Sequence, residues 1–208
     1  MAVFGNFSEI PLFTYDVIMA DAAWLFELWS KKGETKAAQA HYDCEPLEKI
    51  RAYRVADLAR SNCLLWFWTT NPMLRQAFDV LDAWDFKYVT GGHWVKTTKN
   101  QAMSWGPGYV LRTCGEPYYL AARENGEIEE GSPFVLGKIG SPSSAAKNIP
   151  SVIFGERREH SRKPESAYRA LDAMFPGARK LDLFSRTNRP GWDAFGDEAG
   201  KFAVEGAS

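Results

Sequence analysis

Asp21 and Trp24 stand three residues apart at the end of the apolar run Tyr15-Asp16-Val17-Ile18-Met19-Ala20. A carboxylate and an indole at that spacing can hold a flat heterocycle. The ring stacks on the indole, and its exocyclic amine donates to the carboxylate. A base taken out of its stack needs both contacts before chemistry can be done on it. An Asp at a strand end also suits a turn or a helix cap, so the pair acquires meaning only from its surroundings.

Two further stretches bring chemistry-bearing residues together. Arg157, Arg158, His160, Arg162 and Lys163 fall within seven residues, between a strand pattern and a helix pattern. Such a run is ordinarily a solvated turn, yet its cations could also clamp the phosphates flanking an extruded base. Lys96 and Lys99, beside Trp94, form a second basic element, with Trp94 itself expected in the core. The apolar run Leu181-Asp182-Leu183-Phe184 delivers Ser185, Arg186, Thr187 and Asn188 into a loop without a Gly-x-Gly signature. Ligands of open α/β sheets bind beyond such strand ends.

The elements that must position these residues follow from hydrophobic patterning. The apolar character of 15–20 reads as a buried strand of a parallel sheet, 63–69 as a second buried strand and 181–184 as the last strand. Strands are also expected at 86–96, 118–122 and 149–154. Helices are predicted over 46–60 with Pro46 in the first turn, from Asn71-Pro72 onward, and over 164–175. The second should bury Met73, Ala77, Phe78, Leu81 and Trp84, and the third Ala167, Leu171 and Met174, with Pro176-Gly177 as its stop. Residues 25–45 and 98–114 read as long loops, 124–150 as a flexible excursion and the tail after Phe202 as frayed. The 208 residues, 45% of them hydrophobic, suit one domain over 1–208 with its core at about 15–198.

Composition narrows the function. A formal net charge of −1 means that nucleic acid must be met by a local basic patch rather than a global field. Cys44, Cys63 and Cys114 are odd in number and widely spaced, and His41, His93 and His160 show no ligand spacing, so neither a disulfide framework nor a metal is expected. The N-terminus lacks a basic region followed by an apolar run, which predicts no secretory signal. The longest apolar run is far short of the ~20 residues that span a bilayer. The expectation is a soluble, reduced, cytoplasmic protein with no membrane partner.

Asp21-Ala22-Ala23-Trp24 resembles the Asp-Pro-Pro-Trp motif of the N6-adenine methyltransferases related to the mRNA adenosine methyltransferase, including bacterial and phage members. Four more stretches are similar to that family and occur in its order: Cys63 to Thr70, His93 to Thr97, Arg158 to Pro164, and Lys180 to Arg186 with Arg189-Pro190-Gly191-Trp192 behind it. The resemblance covers about residues 15 to 198. It implies an α/β, Rossmann-like methyltransferase fold, a mostly parallel twisted sheet with helices on both faces. The motif order is permuted, with the catalytic-looking segment first and the cofactor strand last. Permutation leaves the sheet intact because termini lie at the surface.

The resemblance further implies S-adenosyl-L-methionine as cofactor, with Asp182, Arg186, Asn188, Asp197 and Glu198 around it. Asp197 departs mildly from the family's usual Asn, and Glu116 matches a family acid. Asp21, Ala22, Ala23 and Trp24 form the catalytic segment. Lys96, Lys99, Arg157, Arg158, His160, Arg162 and Lys163 are the candidate nucleic-acid contacts, and a homodimer is compatible with the family.

Ala22 and Ala23 depart from the motif. Two prolines would fix two φ angles and exclude helix from the residue before each, holding the acceptor carbonyl in place. Each one lost costs about 0.4–1 kcal/mol of preorganisation, and misplacement in a site can cost ~100-fold in rate. The expected activity is N6-adenine methylation of DNA, impaired or absent as written, with cofactor binding retained. The alternatives are a non-catalytic nucleic-acid-binding partner subunit, or a methyltransferase for RNA adenosine or a free nucleotide.

Overall fold

The computed structural model describes residues 1–25, 44–104, 114–122, 144–157 and 162–203. Ten strands and three α-helices are assigned among them. The strands are β1 (Val3–Phe4), β2 (Tyr15–Ala20), β3 (Ala59–Trp68), β4 (Lys87–Thr97), β5 (Gly115–Ala122), β6 (Val152–Glu156), β7 (Lys180–Leu183), β8 (Thr187–Asn188), β9 (Trp192–Phe195) and β10 (Phe202–Ala203). The helices are α1 (Leu47–Ala52), α2 (Leu74–Ala83) and α3 (Glu165–Met174).

Eight strands form one sheet in the order β1-β9-β7-β2-β3-β5-β4-β6, and β8 pairs separately with β10. Only β5 runs antiparallel to its neighbours β3 and β4; every other pairing in the sheet is parallel. At the centre, Val17 to Ala20 of β2 lie opposite Lys180 to Leu183 of β7 on one side and Leu64 to Phe67 of β3 on the other. From β2 the chain continues outward through β3, and from β7 it continues through β9 the other way. The gap between β2 and β7 is therefore the switch point where such sheets open a crevice at their C-terminal ends.

Alternation along the central strands divides the core between the two faces. Ile18, Ala20, Cys63, Leu65 and Phe67 pack with Ile50 of α1 and Ala77, Val80 and Leu81 of α2. Val17, Met19, Leu64, Trp66 and Trp68 pack with Ala167, Tyr168, Ala170 and Leu171 of α3. The α/β architecture with helices on both faces, expected from the sequence, is the one observed. No helix among the described residues is long and apolar enough to cross a membrane.

Several boundaries differ from the sequence reading. The helix expected over 46–60 is one short α-helix followed by a 3-10 turn at Val55–Leu58, and β3 already begins at Ala59. Ala59 lies opposite Tyr15, so strand pairing overrides helical propensity there. On α2, Phe78 is 39% exposed and meets Tyr88 at 5.3 Å between ring centroids, while the unforeseen Val80 is fully buried. Met174 lies beside its cluster rather than inside it. Gly177 ends α3 in the left-handed region, φ +77°, as its Pro-Gly stop requires. Strands β1, β8, β9 and β10 are too short to show a period. The loop and tail readings at 26–43, 105–113, 123–143 and 204–208 lie outside the described residues.

Candidate active site

Strands β2, β7 and β9 end side by side, and the residues that follow them enclose a cleft of about 300 Å³. Asp21 and Ala23 enter from β2, and Phe184, Ser185 and Arg186 from β7. Phe195 of β9 lines it with Gly196, Asp197 and Glu198, while Glu45 and Tyr53 close the side nearest α1. The catalytic acid expected from the sequence thus shares one cavity with three of the five expected cofactor residues. These segments were separated by more than 160 positions along the chain.

The turn after β7 is held in an unusual shape. Phe184 has φ +62°, a left-handed conformation that non-glycine residues rarely adopt. The Ser185 amide donates to Phe195 O at 2.8 Å, and Ser185 Oγ accepts from the Thr187 amide at 3.1 Å within the turn, fixing the strained residue beside the cleft. A Cβ at Gly196 would meet Ser185 O at 2.3 Å, so only glycine lets the end of β9 approach this turn. That approach carries Asp197 and Glu198 to the cleft wall.

Asp21 is fixed from two directions. Its amide donates to Leu183 O at 3.3 Å, and its Oδ2 lies 2.8 Å from Nζ of Lys163. Lys163 is 8% exposed and lies 5.6 Å from the centroid of the Trp68 ring. The sequence reading grouped it with phosphate-contacting cations. The structure instead seats it against Asp21, because an ammonium on a buried stem is most favourably placed against a carboxylate.

Trp24 also differs from expectation. Its ring, expected to stack on a base, is 4% exposed, 5.5 Å from Phe67, and donates from Nε1 to Trp68 O at 3.4 Å. An indole gains more from burying its large apolar face with its N–H satisfied than from standing open at a rim. Trp24 therefore braces the loop from below. Ala22 is buried, and its carbonyl accepts the Trp24 amide at 2.9 Å; the Ala23 carbonyl accepts from Glu45 N at 2.8 Å.

The residues expected around a cofactor divide in two. Arg186 pairs through Nε with Glu198 at 2.5 Å, and Lys201 also bonds Glu198. Lys201 and Arg186 together hold the Glu198 carboxyl below its ordinary value. Asp182, by contrast, is 3% exposed and lies behind the cleft, where its Oδ2 accepts from Tyr168 Oη at 2.9 Å and Ser185 Oγ at 2.7 Å. Burial pushes its carboxyl up to about 6, against the opposing pull of those hydrogen bonds. Asn188 lies on β8 against Ala203, away from the cleft lining.

Among the remaining basic residues, Lys96 lies 4.9 Å over the buried Trp94 ring, Lys99 and Arg157 are exposed, and Arg162 lies 5.4 Å from the Phe202 ring. The Arg157 amide donates to Thr97 O, which puts Lys96, Lys99 and Arg157 around the C-terminal ends of β4 and β6, at the end of the sheet where the cleft opens but three strands or more from β2. Arg158 and His160 lie outside the described residues, and for Glu116 only its backbone place on β5 opposite Trp94 is described. Among the described residues, no three His, Cys, Asp or Glu are arranged to hold a metal ion.

Sequence reasoning missed Glu45, Tyr53 and the buried Tyr168–Asp182–Ser185 group. Glu45 was detectable as an acid placed directly before the Pro46 that opens a helix; the other contacts depend on residues distant in sequence.

Comparison with known proteins agrees with this geometry. The family model described as MT-A70 matches residues 15–198. The chain is 27% identical to the type II methyltransferase M.MunI of Mycoplasma sp, over 92% of this chain and 81% of that protein. It is 26% identical to the human N(6)-adenine-specific methyltransferase METTL4, over 91% of this chain and 38% of that protein. It is 24% identical to the human N(6)-adenosine-methyltransferase catalytic subunit METTL3, over 88% and 28% respectively. The chain thus spans most of the bacterial relative and well under half of the two human ones. With the sheet order, the cleft at its switch point and a family match over nearly the whole chain, this protein belongs to the MT-A70 family of N6-adenine methyltransferases.

Proposed function

We propose that the chain is an S-adenosylmethionine-dependent adenine N6-methyltransferase domain acting on DNA, with turnover weakened by Ala22 and Ala23. The observation that carries this is the single cleft in which Asp21 meets Arg186, Asp197 and Glu198. The preference for DNA rests on M.MunI, a type II methyltransferase of which the chain covers 81%.

The cleft residues suit the cofactor. A volume of about 300 Å³ lies at the lower end of the range for small-molecule pockets. Phe184, Phe195 and Tyr53 supply aromatic surface, and Glu45, Asp197 and Glu198 supply acceptors for hydroxyl and amine donors. When bound, S-adenosylmethionine supplies a methyl group on a positively charged sulfur. A cleft lined by four carboxylates favours that cation.

Asp21 accepts one hydrogen of the adenine amine, and the Ala22 carbonyl, which keeps a second lone pair beside its bond to Trp24, accepts the other. The amine lone pair would then leave conjugation with the ring and face the methyl group. Forming the N–C bond would break the C–S bond, leaving a neutral thioether, and the surplus amine proton would pass by way of Asp21 to solvent. Lys163 orients Asp21 from below, and Trp24 anchors the loop. Lys96, Lys99, Arg157 and Arg162 contact the phosphates around the extruded base. Acceleration comes mainly from holding nitrogen and methyl in line, which is why a loosened Ala22-Ala23 segment is costly.

A second reading, a supporting subunit beside an active copy, is favoured by the same two alanines. Calorimetric titration with S-adenosylmethionine tests the cofactor assignment. The parent should bind, and Arg186→Ala should bind about tenfold or more weakly, as expected when a charged hydrogen bond is lost. Equal affinity in the two proteins places the cofactor elsewhere.

A further inference from the structure

Glu45, like Tyr53, is a cleft residue that no motif points to. Its Oε1 accepts from Tyr53 Oη at 2.9 Å and pairs with Lys49 Nζ at 2.7 Å. Its Oε2 is buried and has no hydrogen-bond partner among the described residues. Leaving a buried carboxylate oxygen unsatisfied is costly, and such exceptions in a native fold call for an explanation. Here the orphaned oxygen belongs to a side chain lining a cleft whose other walls carry the candidate cofactor residues.

The backbone of Glu45 has a separate task. Its amide donates to Ala23 O at 2.8 Å and its carbonyl accepts from Leu25 N at 3.1 Å, forming a parallel bridge at Trp24. The catalytic loop is thereby paired directly to the residue that carries the unsatisfied oxygen. Tyr53 connects the same residue to the opposite wall, since its ring lies 5.2 Å from that of Phe184.

We infer that Glu45 is a cofactor-binding residue whose Oε2 accepts a hydrogen bond from a hydroxyl or amine of S-adenosylmethionine in this cleft, tying cofactor occupancy to the Asp21–Leu25 loop. This rests on the cleft being the cofactor site. The bond satisfies the orphaned oxygen, and the paired backbone then holds Ala23 and, through it, the acceptor loop. Positioning that the two alanines do not provide by themselves is in part supplied by the bound cofactor.

The test is calorimetric titration of S-adenosylmethionine into the full chain and its Glu45→Gln, Glu45→Ala and Lys49→Gln variants. Each is also melted without ligand, and amide exchange is followed at Leu25 and Glu45. Glu45→Gln should weaken binding about tenfold and Glu45→Ala at least as much, because the charged acceptor is lost. Lys49→Gln, on the solvent side of the carboxylate, should stay within about twofold. The ligand-free melting temperature of Glu45→Gln should stay within about 2 °C of the parent's. Cofactor should slow exchange at Leu25 and Glu45 in the parent and fail to do so in Glu45→Gln. Parent-like affinity in Glu45→Gln overturns the inference while leaving the cleft assignment standing. An affinity loss matched by an equal loss of ligand-free stability assigns Glu45 a structural role and overturns it as well. A parent that does not bind the cofactor overturns the cleft assignment and this inference together.

Discussion

Replacing Asp182 by Asn should stabilise the protein at neutral pH and leave it nearly unchanged in acid. Both hydrogen bonds to this carboxylate, from Tyr168 and Ser185, land on the same oxygen, Oδ2. An Asn in the same rotamer keeps both through its one carbonyl oxygen. What it removes is a buried negative charge. Burial pushes the Asp182 carboxyl from its ordinary 3.8 to about 6, with the Asp21 charge adding to the rise and Ser185, Tyr168 and Arg189 opposing it. Below 3.8 the carboxyl is protonated in both folded and unfolded chains. Between 3.8 and 6 the folded chain holds the proton more tightly, so the stability this group contributes is lost as pH rises through 6. A rise of that size corresponds to about 3 kcal/mol of difference between the two ends of the window. For a chain of this length that is about 6–12 °C in melting temperature. Thermal melts of parent and variant from pH 4 to 8, taken as a difference at each pH, isolate Asp182 from every other titrating group. The variant's advantage should grow from near zero at pH 4 to its full value by pH 7.5. A difference that is constant across the range refutes the reasoning, since the carboxyl would then titrate alike in both states.

Further outcomes follow from the cleft and its rim. Restoring Ala22→Pro/Ala23→Pro should raise methyl transfer at least tenfold while leaving cofactor affinity within about twofold, read as a change in kcat at constant Kd. Among the described residues neither alanine's amide donates a backbone hydrogen bond, so proline removes nothing there. In that restored background, Lys163→Met should lower transfer at least tenfold yet leave the salt slope of nucleic-acid binding unchanged. A slope reduced by about one would mean that Lys163 contacts a phosphate after all. Neutralising Lys99 and Arg157 together should flatten the slope of log affinity against log salt by about two, measured by fluorescence anisotropy with an adenine-containing duplex. A parental slope would move the nucleic-acid surface away from this sheet edge.

Much of the architecture was legible because the central strands are buried on both faces. Tyr15 to Ala20 and Leu181 to Phe184 read as apolar stretches broken only by Asp16 and Asp182, and that reading identifies a parallel sheet. The end of the first helix was not legible. Residues 53–60 retain helical apolar spacing, but the chain turns at Val55–Leu58 and enters β3 at Ala59, which pairs with Tyr15. At the site, Asp21 stood out by its spacing from Trp24, and the resemblance to the adenine methyltransferases is what nominated Arg186, Asp197 and Glu198. Their partners were not visible, because side-chain direction depends on packing. Lys163 stands next to Arg162 in sequence, yet one buries its ammonium on Asp21 while the other lies against Phe202. Trp24 reads from sequence as a stacking surface, and only the placement of Phe67 and Trp68 against it shows that its ring is buried. Asp182 matches a motif position but lies behind the cleft, hydrogen-bonded to Ser185 and Tyr168.

The central claim is that Asp21 presents an adenine amine to a methyl donor held by the ends of β7 and β9. It is tested most directly by tritium transfer from labelled S-adenosylmethionine in the Ala22→Pro/Ala23→Pro background, with and without Asp21→Ala. Duplex DNA, single-stranded DNA and RNA are offered in parallel, and the product nucleoside is identified by mass spectrometry. The account predicts N6-methyladenine, most of it on DNA, and its loss when Asp21 becomes Ala. A double-proline protein that binds cofactor and nucleic acid yet methylates none of the three polymers, or one whose transfer survives the loss of Asp21, contradicts it.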